Sequence, residues 1–450
     1  MKKFIVLLLL TINLTLSFGQ AKDQSLLWEI SGNGLTAPSY LYGTMHVSNK
    51  IAFHLADSFF IALDNSDIIA LESDPGKWME EMFASKSAMV MNGYSKYLRF
   101  DGDQNFYEGI SNLEEPDKKT LMSALRDKHA LQNGFLYRGS MFEDEYEENT
   151  YLDLFIYQYG KKNGIKVLNL EQHEETNILQ IKSMLPDEDE DEEEKKKKKK
   201  KKKNYYSQWN EEMTVREALE EAYRNGEVKI IDSIMKMTAQ SDNYMKYFLY
   251  DRNRIMARGM DSLMKNNKLF VGIGAAHLAG EEGVIQLMKN YGYNVRPVSR
   301  EITDFAKKKK EKIEETFLPL PFTPQTTNDG YISVNVPGKL FETPGKNGDI
   351  QYFYPEMTNG GYFFIRRFNT FSPVHEGKKN KWQDKLDSLL FENIEGNIVA
   401  EKEITVSGFP AKDVLNKTRK GDFQRRLIVY TPLEIIFFKM SGTGKWVKNY

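Results

Sequence analysis

The sequence predicts an α/β fold, a mainly parallel sheet flanked by long helices, followed by a smaller α+β domain. Three observations predict it. Short apolar runs of strand length alternate with helical stretches from about residue 26 to 298, and crossovers of that kind make parallel neighbours. One run, Ile68-Ile69-Ala70-Leu71, is continuously apolar, as a strand buried on both faces must be. Past a proline-rich stop at Pro319 to Pro324, closely spaced strands replace the alternation.

Residues 1–19 have the pattern of a secretory signal. Lys2-Lys3 precede a largely apolar stretch, Phe4 to Leu16, and Ser17-Phe18-Gly19 supplies the small residues a signal peptidase reads. The apolar stretch is shorter than the ~20 residues a spanning helix needs. The expected destination is the periplasm or the exterior, with no transmembrane anchor.

Leu26-Leu27-Trp28-Glu29-Ile30 and Ser39-Tyr40-Leu41-Tyr42 read as a hairpin around the turn Ser31-Gly32-Asn33-Gly34. A helix follows, with Leu55, Phe59, Phe60 and Leu63 on its buried face. After the strand at 67–71, residues 77–160 read as mainly helical. Lys166 to Leu170 is the next strand. Residues 187–203 are eight acids followed by nine lysines, a solvated low-complexity insert. Thr214 is the expected N-cap of a helix beginning at Val215. A long helix spans Tyr244 to Asn266. The strand Leu269 to Ile273, a helix at Glu281 to Tyr291 and a strand at Asn294 to Val298 complete a domain over 20–318.

Residues 319–450 form the α+β domain. Its expected strands are Tyr331 to Val336, Gln351 to Tyr354, Tyr362 to Phe368, Ile404 to Val406, Gln424 to Val429 and Glu434 to Lys439. Its expected helix is Trp382 to Phe391. The chain stops soon after an apolar strand, as a chain cut short of a closing helix would.

Composition narrows the chemistry. A formal charge of −2 argues against a nucleic-acid partner. The absence of cysteine removes thiolate ligands and thiol nucleophiles. A metal would have to be held by His, Asp or Glu, which suits zinc, manganese or cobalt.

Two of the six histidines occupy matching places. Gly43-Thr44-Met45-His46 and Gly274-Ala275-Ala276-His277 each follow a short hydrophobic run. Gly43 and Gly274 let the backbone turn closely, leaving each imidazole at a strand's carboxyl end, where open α/β sheets bind ligands. The strand at 67–71 ends at Glu72 and that at 166–170 at Glu171. Two imidazoles and two carboxylates on one sheet edge suit a metal site or an acid/base cluster. Arg252, set among Phe248, Ile255 and Met256, is expected to turn inward and brace a carboxylate. Asp153, an acid in the apolar run Tyr151 to Phe155, is a candidate hydrogen-bond partner for a ligand histidine. His54, His129, His173 and His375 read as structural or surface residues.

Leu27-Trp28-Glu29-Ile30, Tyr40-Leu41-Tyr42-Gly43-Thr44-Met45-His46, Leu71-Glu72, Leu152-Asp153, Gly164 to Glu171, Arg252-Asn253 and Val271 to Leu278 together resemble the TraB/GumN family, over about residues 25–300. That family includes the PrgY pheromone-shutdown proteins and the TIKI membrane proteases. The resemblance implies the core shared with erythromycin esterases and ChaN-type haem-uptake proteins. Through the TIKI branch it implies divalent-metal-dependent peptide cleavage, with His46, His277 and Glu72 as the matching residues. The chain departs from that branch in its lack of a membrane anchor, its charged insert and its C-terminal domain.

The expected function is therefore a secreted or periplasmic hydrolase, a metal-dependent peptidase. His46, His277 and Glu72 would hold the metal. Glu72 would otherwise serve as base, with Glu171, Arg252 and Asp153 orienting the cluster. The alternatives are a metal-free ester or amide hydrolase and a non-catalytic periplasmic protein that binds peptide or haem.

Overall fold

A computed structural model describes residues 24–84, 118–125, 136, 148–186, 214–239, 241–344, 350–370, 386, 388–389, 393–394, 396–419, 421–442 and 447. The leader, the charged insert, His129, His375 and most of the helix expected at Trp382 to Phe391 lie outside them. The chain divides into two compact units. The first gathers residues 1–46, 50–74 and 164–309, the second 47–49, 75–163 and 310–450.

The first unit is built on a six-stranded sheet. Its strands are β1 (Leu27–Ser31), β2 (Ser39–Thr44), β3 (Ile68–Leu71), β4 (Lys166–Asn169), β5 (Leu269–Gly274) and β6 (Asn294–Pro297). They lie in the order β4-β3-β5-β2-β1-β6. The four strands β4, β3, β5 and β2 are mutually parallel. The pairs β1–β2 and β1–β6 are antiparallel, so β1 alone runs against the other five strands and the sheet, though mainly parallel, is mixed. The hairpin is the cause. Gly32, Asn33 and Gly34 all take positive φ, so β1 folds straight back along β2 and offers β6 an antiparallel edge.

Alternation along the strands feeds two cores. Leu41, Ala70, Val271 and Ile273 pack with Met256 and Met260 of the helix Asp251–Met264. On the other face, Phe59 of the helix Asp57–Asp64 meets the rings of Tyr42 and Phe270 with centroids 4.8 and 5.3 Å away. Helices thus cover both faces, which explains why β3 and β5 are buried along their whole length.

Thr214 caps the helix Val215–Asn225 in a reciprocal capping box with Glu217. The long helix expected from Tyr244 departs from expectation. Residues Tyr244–Tyr250 form a π-helix that continues into the α-helix Asp251–Met264. Hydrophobic spacing over two turns does not distinguish the wider winding. Such turns occur frequently at functional sites, and this one immediately precedes Arg252.

The second unit holds a seven-stranded antiparallel sheet and a two-stranded hairpin, β7 (Thr323–Thr326) with β8 (Ser333–Val336). The large sheet runs β12 (Asn397–Val406), β13 (Phe409–Lys417), β14 (Phe423–Tyr430), β15 (Glu434–Gly442), β11 (Gly361–Asn369), β10 (Ile350–Glu356) and β9 (Phe341–Pro344). One face packs against Leu121 and Leu125 of the helix Lys118–Leu125, the other against Ile332 and against Val334 of β8. β13 was not expected as a strand. Pro410, Lys412, Asp413 and Asn416 have low strand propensity, and cross-strand partners supply what they lack. Arg425 of β14 grips Asp413 through two hydrogen bonds of 2.9 and 2.7 Å. The buried helix Leu152–Asn163, which carries Asp153, belongs to this unit.

Candidate functional site

The parallel quartet places its four carboxyl ends side by side. Register sets Thr44 beside Gly274 and Leu71 beside Gly272. Beyond the last paired residues of β3 and β4 the two chains remain joined. The Leu170 N–H donates to the Leu71 carbonyl at 2.8 Å, and the Glu171 N–H donates to the Glu72 carbonyl at 3.1 Å. Two glutamates from distant sequence are thereby held as neighbours.

Glu72 is the centre of the arrangement. Its Oε1 accepts from the Gly274 N–H at 2.5 Å, and its Oε2 accepts from Arg252 Nη2 at 2.9 Å. The Nε2 atoms of His277 and His46 stand 3.7 and 4.0 Å from Oε1. Arg252 holds Glu171 in a fork: Nε donates to Oε1 and Nη2 to Oε2, both at 2.7 Å. One buried guanidinium therefore bridges two carboxylates, and the Phe248 ring lies 5.4 Å from its carbon. Two carboxylates against one guanidinium leave the site with a net negative charge, which suits a cation.

Helical spacing explains how Arg252 reaches inward. Arg252, Asn253, Met256, Ala257 and Met260 form the buried face of their helix, spaced as one stripe of a 3.6-residue period. The two polar residues stand at its amino-terminal end, level with the strand ends. Asn253 Oδ1 lies 2.6 Å from His277 Nδ1, and its Nδ2 donates to the Glu282 carbonyl at 2.7 Å. Sequence reasoning assigned Asn253 no role. The available signal was its place beside Arg252 in an otherwise apolar face.

Burial and charge set the protonation states. Burial works to raise the Glu72 carboxyl. The imidazoles of His277 and His46, the Arg252 guanidinium and the Gly274 N–H outweigh it and hold the group well below the usual range. Burial pushes His277 down to about 4, helped by Arg252 and His46 and opposed by Glu72. His277 is thus a neutral imidazole at pH 7, as a metal ligand must be. Burial raises Glu171, against the pull of Arg252. His46 is the open side of the cluster, its side chain 39% exposed against 5% for His277.

The two glycines have different neighbours. A Cβ on Gly274 would lie 3.1 Å from His46 Nε2 and 3.2 Å from Glu72 Oε1, so that residue's bareness makes room for the cluster itself. A Cβ on Gly43 would meet Leu278 Cδ1 at 2.6 Å and Ala275 Cβ at 3.1 Å. Gly43 makes room for the turn after β5, not for the imidazoles. Asp153 belongs to the second unit and is buried there. His54 lines a separate cavity of about 50 Å³, with Tyr42, Tyr223 and Arg300. His173 is the first residue of the helix His173–Ser183 and hydrogen-bonds Asn177 at 2.9 Å.

Among the described residues no trio of His, Asp or Glu stands in a metal-holding arrangement. His46, Glu72 and His277 come near one. Bonds of ~2.0–2.2 Å to a tetrahedral ion place ligand atoms roughly 3.3–3.6 Å apart, a few tenths of an ångström inside the 3.7 and 4.0 Å found. The donor set, two imidazoles and an ionised carboxylate around a bare glycine, fits a divalent ion.

The sequence model of the TraB/PrgY/gumN family matches residues 26–297. Metalloprotease TIKI1 of Xenopus tropicalis is 34% identical over 89 residues, which are 18% of this chain and 18% of that protein. The chain thus spans under a fifth of that relative's length. A solved protein of unknown function from Pseudomonas aeruginosa matches 27% of this chain and 83% of its own at 13% identity. Its TM-score of 0.16 carries no argument about fold.

Proposed function

The chain belongs to the TraB/PrgY/gumN family, and on that premise we propose that it is a secreted or periplasmic hydrolase that cleaves peptides with a divalent cation, zinc, manganese or cobalt. The observation that carries the proposal is the geometry around Glu72 Oε1. Two imidazole nitrogens from separate strand ends face one ionised carboxylate oxygen at 3.7 and 4.0 Å. The name of the Xenopus relative supports the same chemistry. The erythromycin-esterase and ChaN-type core is part of this reading.

His46, His277 and Glu72 would hold the ion. An ion held by them would polarise a scissile carbonyl and lower the pKa of a water toward ~7. Neutral His277 offers a lone pair at no cost in proton release. Where Glu72 is not a ligand, its ionised carboxylate is the base for an attacking water. Arg252 keeps Glu72 and Glu171 from repelling each other. His46, at the open side, is the residue that incoming substrate meets.

The test is metal analysis of the purified protein beside peptide-library cleavage with added Mn²⁺, Co²⁺ or Zn²⁺. Wild-type protein should bind an ion and cleave, and His46→Ala and His277→Ala should do neither. Chelator-resistant cleavage of an ester or amide that is lost in His46→Ala would replace this reading with a metal-free hydrolase. Stoichiometric capture of peptide or haem without turnover would replace it with a binding protein.

A further inference from the structure

We infer that Asn253 is a positioning residue that locks His277 in its Nδ1–H tautomer, so that the Nε2 lone pair faces Glu72. The inference builds on the metal-site reading above, but its central claim concerns the imidazole alone.

The hydrogen bonds run from the surface inward, one acceptor at a time. The Glu282 backbone carbonyl can only accept a hydrogen bond. Asn253 approaches it at 2.7 Å, so the atom there must be the amide nitrogen. That settles which way the amide points, and its Oδ1 is the atom 2.6 Å from His277 Nδ1. An amide oxygen also only accepts. His277 Nδ1 must therefore carry the proton. In the neutral imidazole that is the single ring proton. Nε2 is left with a bare lone pair, 3.7 Å from the carboxylate oxygen that already accepts from the Gly274 N–H.

Two facing acceptors would repel without something positive between them. The relay thus produces a ligand atom rather than a hydrogen-bonded pair. Its opposite tautomer would place the Nε2 proton toward Glu72 and close the site to a cation. In open solution an imidazole side chain favours the Nε2–H form, so the local structure has to impose the other.

The anchor of the relay is itself braced. Arg254, one residue on, donates to the Glu282 carboxylate at 2.7 Å. Neighbouring residues of one helix thus hold Glu282 by its carbonyl and by its side chain. Gly283 follows directly, and a Cβ there would lie 2.2 Å from the Ala279 carbonyl oxygen, so this turn has one tight path. The carbonyl that orients Asn253 is fixed in space. Such outer partners of a ligand histidine set its tautomer and orientation.

The experiment is ¹⁵N NMR of the imidazoles in the full chain after chelator treatment, with the His277 signals identified by their loss in His277→Gln. The wild-type protein should show His277 protonated at Nδ1 and bare at Nε2. Asn253→Asp keeps an acceptor toward Nδ1 and should retain that pattern. Asn253→Ala should move the population toward Nε2–H. Zn²⁺ affinity should fall by about 10- to 100-fold in Asn253→Ala and by less in Asn253→Asp. A wild-type His277 protonated at Nε2, or an unchanged pattern in Asn253→Ala, overturns the inference. The wild-type spectrum decides it even if Asn253→Ala does not fold. A protein with the expected tautomer and no Zn²⁺ affinity would sink the metal reading and leave the tautomer lock standing.

Discussion

Gly274 is the position where one methyl group would do most to the site. Its added Cβ would press on His46 Nε2 and Glu72 Oε1 at 3.1 and 3.2 Å, so each must give by a few tenths of an ångström, where a full ångström of misplacement costs about 10²-fold in rate. Gly274→Ala should lose activity and metal affinity by up to about 10-fold while its melting temperature moves little. Gly43→Ala should behave the other way. Its Cβ would strike Leu278 and the Ala275 turn, and overpacking of that kind costs about 1–3 kcal/mol, readable by urea denaturation. Equal stability losses in both variants would show that Gly274 is packed like Gly43. Arg252→Met should cost more, about 3–5 kcal/mol, because it strands two buried carboxylates. Arg252→Lys should restore little, since an ammonium cannot span three oxygens as the fork does. A denaturation midpoint for Arg252→Met close to that of wild type would mean the pair is solvated after all. At this scale His46, Glu72, Glu171, Arg252 and His277 were visible in the sequence, because each is a polar residue at the end or on the face of an apolar run. Asn253 was not, because a single amide looks the same in a surface helix.

Elements bring these residues to one place through register. In a strand the side-chain period is two, so a slip of one residue would turn Glu72 or Glu171 away. The backbone bonds from Leu170 to Leu71 and from Glu171 to Glu72 oppose that slip. The helix Val215–Asn225 shows how local signals set an element's ends. Thr214 and Glu217 close its start, and Gly226, at φ 71°, closes its end beside the Ser25 backbone. Thr214→Ala should cost about 1 kcal/mol, measured by thermal unfolding, with the site's metal affinity unchanged. A fall in affinity would mean that this helix carries more of the site than its cap implies. The N-cap was readable from Thr214 and the apolar spacing beyond it, and Glu217's return bond was not. The π-helix before Arg252 was not, since both windings bury Met245 and Leu249. β13 was hidden for a related reason, its polar residues being stabilised by partners on β14 rather than by their own propensity.

For the whole molecule, the buried imidazole becomes a stability that depends on pH. His277 titrates at about 4 in the folded protein and near 6.5 when unfolded. Between those values the unfolded chain binds a proton that the folded chain refuses. The stabilisation is therefore fully present above pH 6.5 and is lost as pH falls toward 4, at up to ~1.4 kcal/mol per unit. Glu72, also depressed, adds a loss of the same sign below the ordinary carboxylate range. Chelator-treated protein should thus unfold at progressively lower temperature from pH 6.5 to 4, and His277→Gln should flatten that slope. A parallel slope in the variant would place the titrating group elsewhere. No helix among the described residues is long and apolar enough to cross a membrane.

The amino-acid sequence by itself determined the α/β class, the order of the strands in the chain and the residue types at their ends. Those follow from local physics: apolar runs must be buried, glycines permit close turns, and threonine caps a helix. Tertiary structure decided what no local rule contains. It set β6 beside β1, at the edge away from the parallel quartet. It placed the helix Leu152–Asn163, and Asp153 with it, in the second unit. It joined Arg252 to two carboxylates and Asn253 to His277, contacts between residues 24 to 180 positions apart. Hydrogen bonds across such separations depend on which elements pack together. That is a property of the assembled core, so it enters only once the strands have found their order.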